Sequence, residues 1–191
     1  MRRAEFEHVI AAAATVSGHT ELVVIGSQAI FGSVPDPPEE MLRSMEADLY
    51  PRHDPAIADH IDGALGDGSQ FHAHYGYYAH GVGPETAKAP SGWEDRLVRM
   101  EIPGRPDPAK GSVAWCLEPH DLVLAKCAAA RDRDWEYARH ALRAHLVDSQ
   151  ELLLRIGGMP VPDVLRDHIR MMLQQITTEM DESEGRAPRS S

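Results

Sequence analysis

Residues 21–31 read ELVVIGSQAIF and residues 44–51 read SMEADLYP. Glu21–Ile25 is a short, apolar, β-branched run, too short for a helix, and so reads as a buried strand. Gly26-Ser27 ends it, and Gln28-Ala29-Ile30-Phe31 begins a helical turn. Met45–Tyr50 alternates and stops at Pro51, the pattern of a half-buried strand. Side chains on a strand alternate between faces, so Met45, Ala47 and Leu49 look one way and Glu46, Asp48 and Tyr50 the other. The apolar set can pack on a helix layer, which leaves two carboxylates side by side on the open face. Neighbouring carboxylates repel, and burial sharpens the conflict. A divalent cation resolves it, and Mg²⁺ favours a few carboxylate oxygens together with substrate phosphate. Gly26-Ser27 offers free backbone N–H groups and a hydroxyl at a strand-to-helix turn, where phosphate can be held. Taken singly, each part has a plainer reading: a solvated strand face and a simple turn. The pair predicts adjacent strands with Gly26 within reach of Asp48.

Outward from this centre, residues 4–17 read as an alanine-rich helix ending at Gly18. Pro35, Pro37 and Pro38 mark a loop, followed by a short helix over 39–43 and an amphipathic one over 55–65. Strands are expected at 75–82, 95–102 and 112–117. From Glu118 the chain is helical in character, over 119–130, 134–146, 148–156 and 162–178, with Pro119 suited to a first helical position. Residues 180–191 are polar and predict a disordered tail. The order predicts an α+β fold: a small mixed sheet flanked by helices within residues 1–117, and a helical region, 118–179, packed on it.

A chain of 191 residues can bury one good core. The net charge of −11 argues against a broad nucleic-acid-binding surface. Lys126, Arg131, Arg133, Arg139 and Arg143 nevertheless form a locally basic stretch, either a solvated helix face or a guide for RNA phosphates. No apolar run approaches the roughly 20 residues that cross a bilayer, and no signal core is seen near the start, so no membrane association and a cytoplasmic location are expected. Cys116 and Cys127 sit among apolar residues and read as core positions. His72-Ala-His74, with His80 nearby, is either a polar face near a turn or a metal cluster, but no cysteine or acid stands at a suitable spacing. Trp93, Trp115 and Trp135 read as packing residues. Lys126, within LVLAKCAAA, either snorkels to the surface or points into a cleft.

GSQAI with SMEADLYP resembles the Gly-Ser and acid-x-acid signature of the DNA polymerase β-like nucleotidyltransferase superfamily. Within it, the chain resembles small bacterial proteins related to AbiEii-type toxins. GWEDRL at 92–97, LEPHDLVLAK at 117–126 and AAARDRDWEYA at 128–138 agree, so the resemblance runs over about residues 20–145. It implies a Mg²⁺-dependent transfer of a nucleoside monophosphate from an NTP to an RNA or protein hydroxyl, and a separately encoded antitoxin as partner. Glu46 and Asp48 would hold metal, and Gly26 and Ser27 the triphosphate. The toxins carry a lysine on a helix followed by an arginine and an aspartate, which by motif match are Lys126, Arg131 and Asp134. Asp132 and Asp134 also suit a helix N-cap. A third carboxylate often completes such sites. Alternation over 95–102 puts Val98, Met100 and Ile102 on one face and Asp95, Leu97, Arg99 and Glu101 on the other, so Glu101 or Asp95 could join the metal site or pair with Arg99 or Arg96. The sequence departs from the pattern at Glu46, where the superfamily has aspartate, and in the long connection from Ser27 to Glu46. These departures leave room for a nucleotide-binding pseudoenzyme that keeps the fold, or for a scaffold protein.

Overall fold

The computed structural model describes residues 1–104 and 111–185. Helix α1 (Arg3–Ser17) ends at Gly18, whose φ of 72° closes the helix in the left-handed conformation. Strand β1 (Glu21–Val24) follows, then a 3-10 turn, Ser27–Gly32. Strand β2 (Glu46–Pro51) leads through a 3-10 turn, Pro55–Ile57, to helix α2 (Ala58–Leu65). The strand expected over 75–82 starts later, at Tyr78, because Tyr75 still belongs to a short helix. Helix α3 (Gln70–Tyr75) is capped by the Ser69 hydroxyl, which accepts from the His72 N–H, and closed by Gly76 at φ 78°. Strand β3 (Tyr78–Gly81) then follows. Strands β4 (Val98–Ile102) and β5 (Ser112–Cys116) complete the sheet. Helices α4 (Pro119–Cys127), α5 (Asp132–Arg143), α6 (Ser149–Arg155) and α7 (Asp163–Gly185) form the helical half.

The strands form one mixed five-stranded sheet in the order β3-β2-β1-β5-β4, so the fold is α+β with flanking and C-terminal helices. β1 is antiparallel to β2 and parallel to β5, and β2 is parallel to β3. Central β1 has Leu22, Val23 and Val24 all buried, as a strand covered on both faces requires. Phe6, Val9, Ile10 and Ala13 of α1 and Ile61 of α2 join this core. Cys116 and Cys127 are buried free thiols within it. Trp93 and Trp135 are buried as well, while Trp115 is half-buried and donates from Nε1 to Glu21 at 2.8 Å.

GWEDRL and LEPHD meet in an ionic network that staples the helical half to the sheet. Asp121 is fully buried on α4 and receives Arg96 Nε at 2.7 Å and Arg155 at 2.9 Å. Arg155 also reaches Glu118 at 2.6 Å. Helix α7 runs through the first part of the segment expected to be a disordered tail, because Met180 still packs against the core. Residues 186–191 of that expected tail lie outside the described residues. Among the described residues, no helix is long and apolar enough to cross a membrane.

Candidate nucleotide and metal site

The register of β1 against β2 builds the site. Val24 pairs with Leu49, and the Ile25 N–H donates to the Asp48 carbonyl at 3.0 Å, so β1 ends level with Asp48. The chain then turns at Gly26. Ala47 and Leu49 are fully buried, while Glu46 and Asp48 are half-buried, so the acids share the opposite face. Two details depart from simple alternation. Met45 precedes the strand and is exposed rather than packed, and Tyr50 is buried. Burial first, and then the nearby charge of Glu94, pushes the Tyr50 hydroxyl up to about 12.

Gly26 is required by space, not by backbone angle, since its φ is −86°. A Cβ there would stand 1.9 Å from Asp48 Oδ2, well inside contact distance. Only the bare backbone of glycine lets the turn approach the carboxylate. Buried Gln28 extends the same link by donating from Nε2 to the Ser44 carbonyl at 3.1 Å, tying the turn to the entry of β2.

Parallel pairing with β3 brings two further groups to the acids. Tyr78 lies opposite Glu46 and His80 opposite Asp48. The Tyr78 hydroxyl donates to Glu46 Oε2 at 2.9 Å, and His80 Nδ1 is 2.9 Å from Asp48 Oδ1. Ligand atoms of Glu46, Asp48 and His80 lie within 4.8 Å of one another. Burial, reinforced by Glu46, raises the Asp48 carboxyl from its ordinary value, and the His80 hydrogen bond and Lys126 only partly oppose it. This is the electrostatic state of a carboxylate short of positive charge.

Helices α4 and α5 supply the facing wall. Lys126 lies against the Tyr137 ring, 4.6 Å from its centroid, and 3.5 Å from fully buried Asp134. Burial lowers the pKa of its ammonium, with Asp134 acting in the opposite direction. The Tyr137 hydroxyl donates to the Ser27 carbonyl at 3.2 Å, which joins α5 to the Gly-Ser turn. Arg131 grips Asp134 through Nε at 2.6 Å. Asp134 is therefore not a helix cap. The N-cap of α5 is Arg131, and the buried carboxylate holds Arg131 and Lys126 in place. A cleft of about 530 Å³ is lined by Gly26, Ser27, Glu46, Asp48, His80, Lys126, Arg131 and Tyr137, with Arg43, Lys88 and Arg133 also on its wall.

Glu101 does not reach this site. It is exposed on β4, bonded to Arg99 at 2.6 Å, and β1 and β5 separate its strand from β2. Alternation gave its face correctly but carries no information on strand order. Asp95 is also exposed, in the 3-10 turn before β4. The third group beside the acids is His80, which its place in sequence associates with His72 and His74 rather than with them. His72 and His74 belong to α3. The basic stretch also divides: Lys126, Arg131 and Arg133 line the cleft, whereas Arg139 is bonded to Glu179 of α7 at 2.6 Å.

Comparison with known proteins gives one finding. The sequence model of a family described as nucleotidyltransferase of unknown function (DUF6036) matches residues 4–157. No curated protein and no solved structure matches the chain.

Proposed function

The chain belongs to this family of nucleotidyltransferases, and on that premise we propose that it moves a nucleoside monophosphate from an NTP to a hydroxyl of RNA or protein, releasing pyrophosphate. The observation that carries the reading is the single cleft in which an acid pair, a glycine-serine turn and Lys126 converge. Residues of the acid pair fit a divalent ion such as Mg²⁺: their oxygens are adjacent, and the turn beside Asp48 leaves no room for a Cβ. When bound, such an ion would neutralise charge on the phosphates and orient them for in-line displacement. Glu46 and Asp48 would hold it. Backbone N–H groups at Gly26 and Ser27, with the Ser27 hydroxyl, take the triphosphate. Lys126 and Arg131 add positive charge from the far wall, and Asp134 sets their position. The acceptor hydroxyl gives up its proton to solvent as its oxygen bonds to the α-phosphorus and the bond to pyrophosphate breaks.

The resemblance to AbiEii-type toxins extends the proposal to a toxin neutralised by a separate antitoxin. A second reading, a nucleotide-binding pseudoenzyme, is favoured by the departure at Glu46, one of whose oxygens is engaged by Tyr78. Incubation of the purified chain with each labelled NTP and Mg²⁺, with total RNA and total cell protein as acceptors, separates the two. Transferred label with pyrophosphate release, abolished in Asp48→Ala, is expected. Nucleotide binding without any transfer would establish the pseudoenzyme. Equal growth inhibition by wild type and Asp48→Ala on expression would remove the toxin role.

A further inference from the structure

The neighbour of the acid pair is an imidazole, not a third carboxylate. His80 projects from β3 on the register that also places Tyr78 against Glu46. Its Nδ1 already meets Asp48 Oδ1 at 2.9 Å, and its ring is exposed to the cleft that it lines. Tyr78 occupies Glu46 Oε2, which leaves the other oxygen of that carboxylate for an ion. On its other side Asp48 lies against the bare backbone of Gly26, where a Cβ would stand 1.9 Å from Oδ2. The three side chains therefore form a preset group of one nitrogen and two carboxylate donors.

We propose that His80 is a metal ligand together with Glu46 and Asp48, and that it tunes the site toward Mn²⁺ over Mg²⁺. The inference rests on the nucleotidyl-transfer reading above. Mg²⁺ is small and hard, and surrenders its water reluctantly, most readily to charged oxygen. A neutral imidazole brings no charge to offset that loss. First-row ions gain more from nitrogen donors, and among them Mn²⁺ also accepts carboxylate and phosphate oxygens in octahedral geometry. Two carboxylates, one imidazole and a triphosphate together suit Mn²⁺. A carboxylate in place of His80 would restore the all-oxygen set that suits Mg²⁺.

The test uses the full chain with Mn²⁺ and inorganic tripolyphosphate, a probe that contains no nitrogen. Pulsed electron paramagnetic resonance reads nitrogen coupled to the bound ion, and titrations of free Mn²⁺, with Mg²⁺ as competitor, read affinity. Wild type should show imidazole nitrogen coupling that is absent from His80→Ala and His80→Asp. His80→Ala should weaken Mn²⁺ binding by roughly tenfold or more, while Mg²⁺ binding changes little. His80→Asp should bind metal with its preference moved toward Mg²⁺. The histidine is exposed, so both variants should keep the wild-type circular dichroism spectrum. Mn²⁺ binding without nitrogen coupling, and unaltered in His80→Ala, would overturn the ligand assignment while leaving the acid pair intact. Binding of neither ion to wild type would overturn the assignment and the nucleotidyl-transfer reading together.

Discussion

Gly26 stands where Asp48 leaves no space for a side chain, and this fixes what a substitution there would do. In Gly26→Ala the new Cβ would begin 1.9 Å from Asp48 Oδ2, so either the turn or the carboxylate must move. A side chain that overpacks a tight site costs about 1–3 kcal/mol, and here the strain falls on the acid. Gly26→Ala should therefore lose metal-dependent nucleotide binding in calorimetry while remaining folded. Affinity equal to wild type would mean that the close approach has no part in the site. The acid pair was legible at this scale because strand alternation is a local property, readable from Met45–Tyr50 alone. His80 was not, since its place beside Asp48 depends on β2–β3 pairing between residues distant in sequence. Glu101 failed for the same reason in reverse. Its face followed from local alternation, but its strand lies on the opposite edge of the sheet.

Helix α4 carries Lys126, and the network at its other end sets where it lies. The Glu118 side chain caps the helix by accepting from the backbone N–H groups of His120 and Asp121. The Asp148 N–H donates to His120 Nε2 at 2.9 Å, which leaves His120 Nδ1 to donate to Glu118 at 2.6 Å. Burial opposes the charge of Glu118, but His120 and Arg155 outweigh it and hold the carboxyl down at about 2. A folded-state pKa below the unfolded value means that Glu118 stabilises the fold fully above the ordinary glutamate range. That stability is lost as the pH falls through about 2. Glu118→Gln should cost about 1–3 kcal/mol at neutral pH in urea unfolding, and its deficit relative to wild type should shrink as the solution is acidified. A deficit constant across that range would remove the carboxylate charge from the account. Most elements were legible, because caps and periodicity are local signals. The short helix before β3 is not legible from periodicity: QFHAHY lacks a clear apolar period, and Ser69 with Gly76 are the signals that mark it.

At the scale of the whole molecule, a chain with a net charge of −11 encloses a cleft in which Arg43, Lys88, Lys126, Arg131 and Arg133 face the carboxylates of Glu40, Glu46, Asp48 and Glu136. Total charge repels a triphosphate, but at physiological salt that repulsion is screened within about 8 Å. Inside the cleft the nearest charges dominate, and the half-buried ones are screened least. Among those cations, Lys126 and Arg131 are anchored by a buried carboxylate, so their positions do not have to be fixed at the moment of binding. Arg139 belongs to the same stretch of sequence, yet it is spent on Glu179, and Arg143 acts on that carboxylate too. Sequence proximity groups these cations, and α5 divides them along its length: Arg131 and Arg133 at its start line the cleft, while Arg139 further along meets α7. NTP affinity should therefore fall with rising salt in wild type. In Lys126→Ala with Arg131→Ala it should be weaker and less dependent on salt. In Arg139→Ala with Arg143→Ala both affinity and salt dependence should match wild type. Calorimetric titration of an NTP at low and at physiological salt measures all three. An equal loss from the two double variants would mean that the nucleotide responds to the overall field of the helical half, and the cleft would lose its claim as the place where the triphosphate binds.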